Sequence, residues 1–300
     1  MRQVIDGDGG DDEASRSAAN AELAGPDDDT VAPPALVDNV ETLANVPRII
    51  SRGGRWFRTE GTAESPGTIV CTITGATTRA GVGEVIMGTT LREAIELIGG
   101  GPVGTIAAVL PGVSNALIPA AQLDTPLTYE DLAAIGSGLG SAGFIVIATD
   151  EDPVAVVAGA SRFLAVESCG QCTPCKDDGL EIAATLARLG RNDVDDETMA
   201  HLERRITTVN EGARCYLATQ QQVVAQSLFT SFPDAVAAHR DGRAEAVEPA
   251  LVAELSDLDG TVAVLDERHR DKQPDWSYDP TTSGRAPVDA AARESQTDGT

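Results

Sequence analysis

Glu167-Ser-Cys-Gly-Gln-Cys-Thr-Pro-Cys175 sets three cysteines two residues apart, at 169, 172 and 175. A cubane iron–sulfur cluster is held by four thiolates spread around its corners. Two-residue spacers let one tight loop wrap three of those corners. The fourth must come from a distant thiol, and Cys215 is the only cysteine downstream. It follows a glycine-bearing loop, precedes a helical pattern and has Arg214 beside it. The spacing therefore points to a [4Fe-4S] cluster on Cys169, Cys172, Cys175 and Cys215. Zinc sites more often show two separated Cys-x2-Cys pairs or mixed Cys/His sets. Zinc, or simply buried thiols, is the rival expectation. Cys71, the fifth cysteine, sits in a β-branched run and reads as a small buried hydrophobe.

The cysteine loop lies inside a helical region. Apolar spacing predicts helices over 151–166, 174–189, 196–210 and 216–230, a small four-helix bundle. Asp152 can cap the first, with Pro153 at the tolerated first position. Asp195 or Asp196 can cap the third, and Gly190 and Gly212 read as stops. Pro233 ends the last helix or begins a short extra turn. Upstream, 66–150 reads as a small α+β unit. Strands are expected at Thr68–Thr74, Gly83–Met87, Ile106–Leu110 and Phe144–Ala148. Helices are expected at Thr90–Ile98, stopped by Gly99-Gly-Gly101, and at Thr128–Ile135, where Thr128 and Asp131 resemble a capping box. That order suits a β-grasp. Residues 37–65 form a linker helix that Pro47 can kink. Residues 1–36 carry nine acids against two arginines and predict a disordered leader. Residues 243–300 predict a mostly extended tail that packs poorly by itself. The fold class is α+β: a β-grasp domain, then a cluster-binding bundle, with disordered acidic termini.

Composition narrows the function. The chain has 22 Lys plus Arg against 47 Asp plus Glu, a net charge of −25. Such a surface repels phosphate, so nucleic acid and anionic membrane are poor partners. With aromatics at 3%, the core must be built from Ala, Val, Leu and Ile. The sequence shows no secretory or membrane-spanning stretch. A cytoplasmic location follows as the expectation, peripheral on the inner membrane face through a complex at most. There, cysteines serve metal or redox chemistry more often than disulfides.

The cysteine stretch resembles the cluster motif of the NADH-binding flavoprotein subunit of respiratory complex I. The same module occurs in NAD-dependent formate dehydrogenase and hydrogenase diaphorase subunits. Val37-Asp-Asn-Val-Glu-Thr-Leu-Ala-Asn-Val-Pro47 resembles the segment that leads out of that family's flavin domain. Residues 66–150 resemble its soluble-ligand-binding β-grasp (SLBB) domain, so the likeness runs over about 37–240. The resemblance implies that Cys169, Cys172, Cys175 and Cys215 ligate a [4Fe-4S] cluster reduced by flavin. It places Asn39, Glu41 and Thr42 near that flavin. The family's glycine-rich flavin and NADH loop is not found ahead of Val37, so FMN and NAD are expected on a partner chain. A thioredoxin-like [2Fe-2S] subunit is the other expected partner. The family runs basic–acidic–Gly after the third cysteine, whereas this chain has Lys176-Asp-Asp-Gly179.

Other features carry less. Gly136-Ser-Gly-Leu-Gly-Ser-Ala-Gly143 follows a helix and precedes a strand, the reverse of a dinucleotide loop, and reads as a turn. His201, His239 and His269 stand among polar residues and read as solvated. No catalytic residue is assigned. The expectation is an iron–sulfur electron-transfer component of an NADH dehydrogenase (quinone)-type oxidoreductase. The alternatives are a truncated fragment of a full flavoprotein subunit, or a non-enzymatic β-grasp assembly protein with a structural cluster.

Overall fold

The computed structural model describes residues 38–259 and 262–274. The acidic leader and the last part of the tail lie outside them. Residues 54–274 form one compact unit, and the chain up to Gly53 groups separately. In that separate part, helix α1 (Val40–Arg52) is capped by Asn39, whose side chain accepts from the Glu41 amide at 2.8 Å. The helix runs on through Pro47 and ends at Gly53. A short helical turn, α2 (Gly54–Phe57), follows.

The sheet of the compact unit contains β1 (Thr68–Gly75), β2 (Gly81–Ile86), β3 (Ile106–Pro111), β4 (Ile118–Pro119) and β5 (Gly143–Ala148). Its order is β2-β1-β5-β3-β4. The β1–β5 pair is parallel and the others are antiparallel, with Thr72 opposite Gly143 and Cys71 opposite Gly83. Parallel strands at the centre, with a helix between, give the expected β-grasp. Gly75 permits the β1–β5 junction: its φ is +88°, and a Cβ there would sit 2.2 Å from the Val146 carbonyl oxygen. Helix α3 (Leu91–Gly99) is held at its start by a complete Thr90/Glu93 capping box. It ends on left-handed Gly100, as the triple glycine predicts. In α4 (Tyr129–Ala134), Thr128 accepts from the Asp131 amide.

Strand alternation assigns the two faces of the sheet. Ile73, Val109, Phe144 and Val146 face α3, packing with Leu91, Ile95 and Ile98. Ala108, Leu110 and Ile147 face the other way, into one core with the bundle. The bundle consists of α5 (Pro153–Val166), α6 (Thr173–Gly190), α7 (Asp196–Thr208) and α8 (Leu217–Ser231), followed by the short α9 (Pro233–Arg240). The four long helices have bounds within two residues of the expected ones. Asp152 and Asp195 both act as N-caps. Helix α5 is apolar on nearly every side, from Val154 and Val157 to Leu164 and Val166, because it is enclosed all round. A polar link joins sheet to bundle: Ser227 accepts from the Leu117 amide at 3.1 Å and donates to the Val224 carbonyl at 2.7 Å.

Three expectations need correction. The tail, expected to pack poorly, straps the bundle as far as the structure describes it. The Val247 amide donates to the Gly190 carbonyl at 2.8 Å, and the Ala250 amide to the Ala155 carbonyl at 2.9 Å. A Cβ on Gly159 would lie 2.1 Å from the Ala250 carbonyl oxygen, and one on Gly190 would lie 2.9 Å from that of Val247. Gly190 is therefore a close-approach residue within α6. The left-handed stop is Asn192, at φ +60°. Beyond the strap, β6 (Leu255–Asp259) and β7 (Val262–Leu265) pair as a hairpin, and a 3-10 turn spans Glu267–Arg270. Finally, two of the three histidines are not solvated. His239 is fully buried, with its ring nitrogens 2.8 Å from Asn192 Oδ1 and 2.8 Å from Asp152 Oδ2. His269 is also buried, stacked on Phe163 with ring centroids 4.9 Å apart. His201 stays exposed beside Glu197. Each buried ring is covered by an element distant in sequence, which local polarity does not reveal.

Candidate metal centre

The three-cysteine loop is short because it joins two helix ends. Helix α5 closes at Glu167, whose amide donates to the Phe163 carbonyl at 3.0 Å. Ser168 is buried and Cys169 exposed. Gly170 turns the chain at φ +70°. Cys172 is the extended N-cap residue of α6, and its carbonyl accepts from the Lys176 amide at 2.9 Å. Pro174 occupies the first turn, where a missing amide proton costs nothing. Cys175 follows within that turn, so Cys172 and Cys175 sit where helix amides and the positive end of the dipole favour negative charge.

Cys215 comes from the connection between α7 and α8. That connection is tied down by Gln222, whose side-chain amide donates to the Ile206 carbonyl at 2.8 Å and the Thr207 carbonyl at 3.0 Å. Asn210 Nδ2 donates to Gln222 Oε1 at 3.0 Å. Gly212 turns the chain at φ +65°. Arg214 then clasps the other loop twice. Its amide approaches Cys172 Sγ at 3.4 Å, and its guanidinium donates to Gln171 Oε1 at 2.8 Å. The two loops thus meet at Arg214, immediately before Cys215.

Burial pushes the Cys175 thiol up to about 11, and the charges of Cys215, Cys172 and Cys169 push in the same direction. The four sulfurs therefore share one electrostatic field. Among the described residues, no group of three or more His, Cys, Asp or Glu side chains is gathered tightly enough for one metal ion. Cys71, by contrast, is fully buried in the sheet core.

The additional acid after Cys175 is accommodated. Helix α6 continues through Lys176-Asp-Asp-Gly179, and Asp178 pairs with Arg205 of α7 and accepts from Thr208 Oγ1 at 3.1 Å. The residue set that sequence reasoning missed lies around Glu167. His269 Nε2 is 3.1 Å from Glu167 Oε1, and Lys272 pairs with the same oxygen. No local pattern announces it. Of the residues expected near flavin, Asn39 and Glu41 belong to the cap of α1, with Thr42 next in the helix. The glycine-rich 136–143 segment is a turn with positive φ at Gly136, Gly140 and Ala142. No helix among the described residues is long and apolar enough to cross a membrane.

Residues 155–239 match the NADH-ubiquinone oxidoreductase-F iron–sulfur binding region. An NADH-quinone oxidoreductase subunit of Rhizobium meliloti (strain 1021) is 42% identical over 163 residues, 52% of this chain and 38% of that protein. The NADP-reducing hydrogenase subunit HndC of Solidesulfovibrio fructosivorans is 35% identical over 213 residues, 70% of this chain and 44% of that one. An air-oxidised NAD+-reducing [NiFe]-hydrogenase structure superposes with a TM-score of 0.63 at 29% identity, covering 70% of this chain and 36% of that chain. The chain thus spans less than half the length of these relatives.

Proposed function

From the premise that this chain carries the iron–sulfur binding region of the NADH-ubiquinone oxidoreductase-F family, we propose that it is an electron-transfer component of an NADH dehydrogenase-type complex. Cys169, Cys172, Cys175 and Cys215 hold one [4Fe-4S] cluster. The donor is a reduced flavin on a neighbouring chain, where NADH is oxidised, and a thioredoxin-like [2Fe-2S] subunit is the companion. The observation that carries this reading is the clasp at Arg214, which brings Cys215 to a loop already bearing three thiols. The donor set fits the group, being four sulfurs with no carboxylate or imidazole among them.

When bound, such a cluster supplies one-electron transfer without proton chemistry. The chain's own residues do the rest. The thiols lose their protons on loading, so loading works against the burial that keeps Cys175 neutral. The amides of the first turn of α6 offset the thiolate charge. Gln222 and Asn210 fix the approach of Cys215. Cys169 and Cys215 are exposed, which leaves the site open to a partner on that side.

Anaerobic purification with iron analysis and EPR tests the proposal. The full chain should carry about four irons and become EPR-active on reduction. Cys172→Ser should lose the iron, whereas Cys71→Ser should keep it. Stoichiometric zinc without iron would overturn the reading.

A further inference from the structure

The strap does more than cover α5. Below Ala250 it follows that helix from its beginning toward its end. The Ala250 amide meets the Ala155 carbonyl, and the 266–272 segment meets Arg162, Phe163 and Glu167. Arg162 Nη2 donates to the carbonyls of Arg270 at 2.7 Å and Lys272 at 3.1 Å. His269 is 7% exposed, its ring stacked on Phe163 and its Nε2 at Glu167 Oε1. Lys272 reaches the same carboxylate oxygen. Glu167 is the C-cap of α5, and Ser168 and Cys169 follow it directly. These tail residues lie outside the 155–239 region that matches the iron–sulfur family.

We propose that His269, supported by Lys272, is a positioning residue for the cluster loop, acting through Glu167 to hold the start of the Ser168–Cys175 turn in place. The physical case is geometric. A helix C-terminus frays unless its last turn is tied, and here the tie is a buried ring with one face on Phe163 and one nitrogen on the cap residue. Releasing it frees the residue two positions before the first thiol. The inference rests on the cluster reading for its purpose, but the ordering of the loop can be measured without iron.

The test is thiol alkylation of the full-length apo-protein, mapped by mass spectrometry, with buried Cys71 as the internal reporter of global folding. His269→Ala should raise the alkylation rate of the half-buried Cys172 by roughly tenfold, about the effect of one hydrogen bond to a charged group. His269→Phe, which keeps the stack and loses the bond, should do the same. His269→Gln, which keeps an N–H donor, should fall closer to wild type. In iron-loaded protein, the same order should appear in the rate of iron loss to a chelator and in altered EPR line shape. Equal Cys172 rates in all variants would overturn the proposal. So would a Cys71 rate that rises in step with Cys172, since the tail would then be a general stabiliser. Wild type without iron would overturn the cluster reading, while the alkylation result would still decide the role of the loop.

Discussion

At the scale of single residues, Cys175 carries the clearest prediction. Its neutral thiol is the form the folded apo-protein favours, since burial and three neighbouring thiols raise its pKa from 9.0 to about 11. Its contribution to apo stability is therefore full below 9.0 and lost as pH rises through about 11. The alkylation rate of Cys175 in apo-protein should go on climbing toward pH 11. A rate that levels off near the ordinary thiol value of 9.0 would show an unburied, isolated thiol. Thiolate ligands release protons on loading, so iron uptake by apo-protein should also strengthen as pH rises. His239 shows how a polar residue becomes structural. Its ring joins α9 to Asn192 after α6 and to Asp152, the N-cap of α5. His239→Ala would leave that carboxylate and amide short of a partner at a buried junction. Thermal unfolding should register a loss of about 1–3 kcal/mol.

At the scale of elements, the helices and strands were legible because each carries its own period, and their ends because Thr128, Asp152, Asp195 and Gly100 sit where caps belong. The strap was not legible. Residues 244–254 have no period, and the two contacts that lay them on the bundle helices are the Val247 and Ala250 amides, donating to the Gly190 and Ala155 carbonyls far earlier in the chain. The only trace in the sequence is a pair of helical glycines, and a glycine within a helix looks the same whether it stops the helix or admits another chain. Gly159→Ala separates the two roles. Without a strap, it would stabilise an interior helix position by about 1 kcal/mol. With the Ala250 carbonyl oxygen 2.1 Å from the new methyl, the strap must shift, and a loss of about 1–3 kcal/mol is expected. Chemical denaturation decides between opposite signs. The three-cysteine loop was legible from spacing alone. The Glu167–His269 contact was not, because it joins residues 102 apart.

At the scale of the whole molecule, the charge of −25 and the exposed face of α1 bear on partnership. Self-repulsion should make the apo-protein more stable in salt, with the gain saturating below about 1 M, where the screening length has fallen to about 3 Å. Against that acidic background, Arg48, Arg52, Arg55 and Arg58 form a basic run with no acid between them. Helix α1 itself holds exposed apolar residues, with Val40 at 81% and Ile50 at 79% exposure and Leu43 half-buried. Apolar side chains on one helix with Arg48 and Arg52 are the composition of a protein-binding face. If α1 meets the flavin-bearing chain, Leu43→Asp places a charge in the apolar contact and should weaken the complex at least tenfold, about the cost of burying one unpaired polar group. Iron content should not change, because no proposed cluster ligand lies in α1. Co-expression with a candidate flavoprotein, followed by affinity capture and flavin and iron quantification, measures both quantities. A complex that forms equally well with Leu43→Asp would remove α1 from the interface. A chain that stays monomeric beside every flavoprotein tested would count against a separate electron-transfer component.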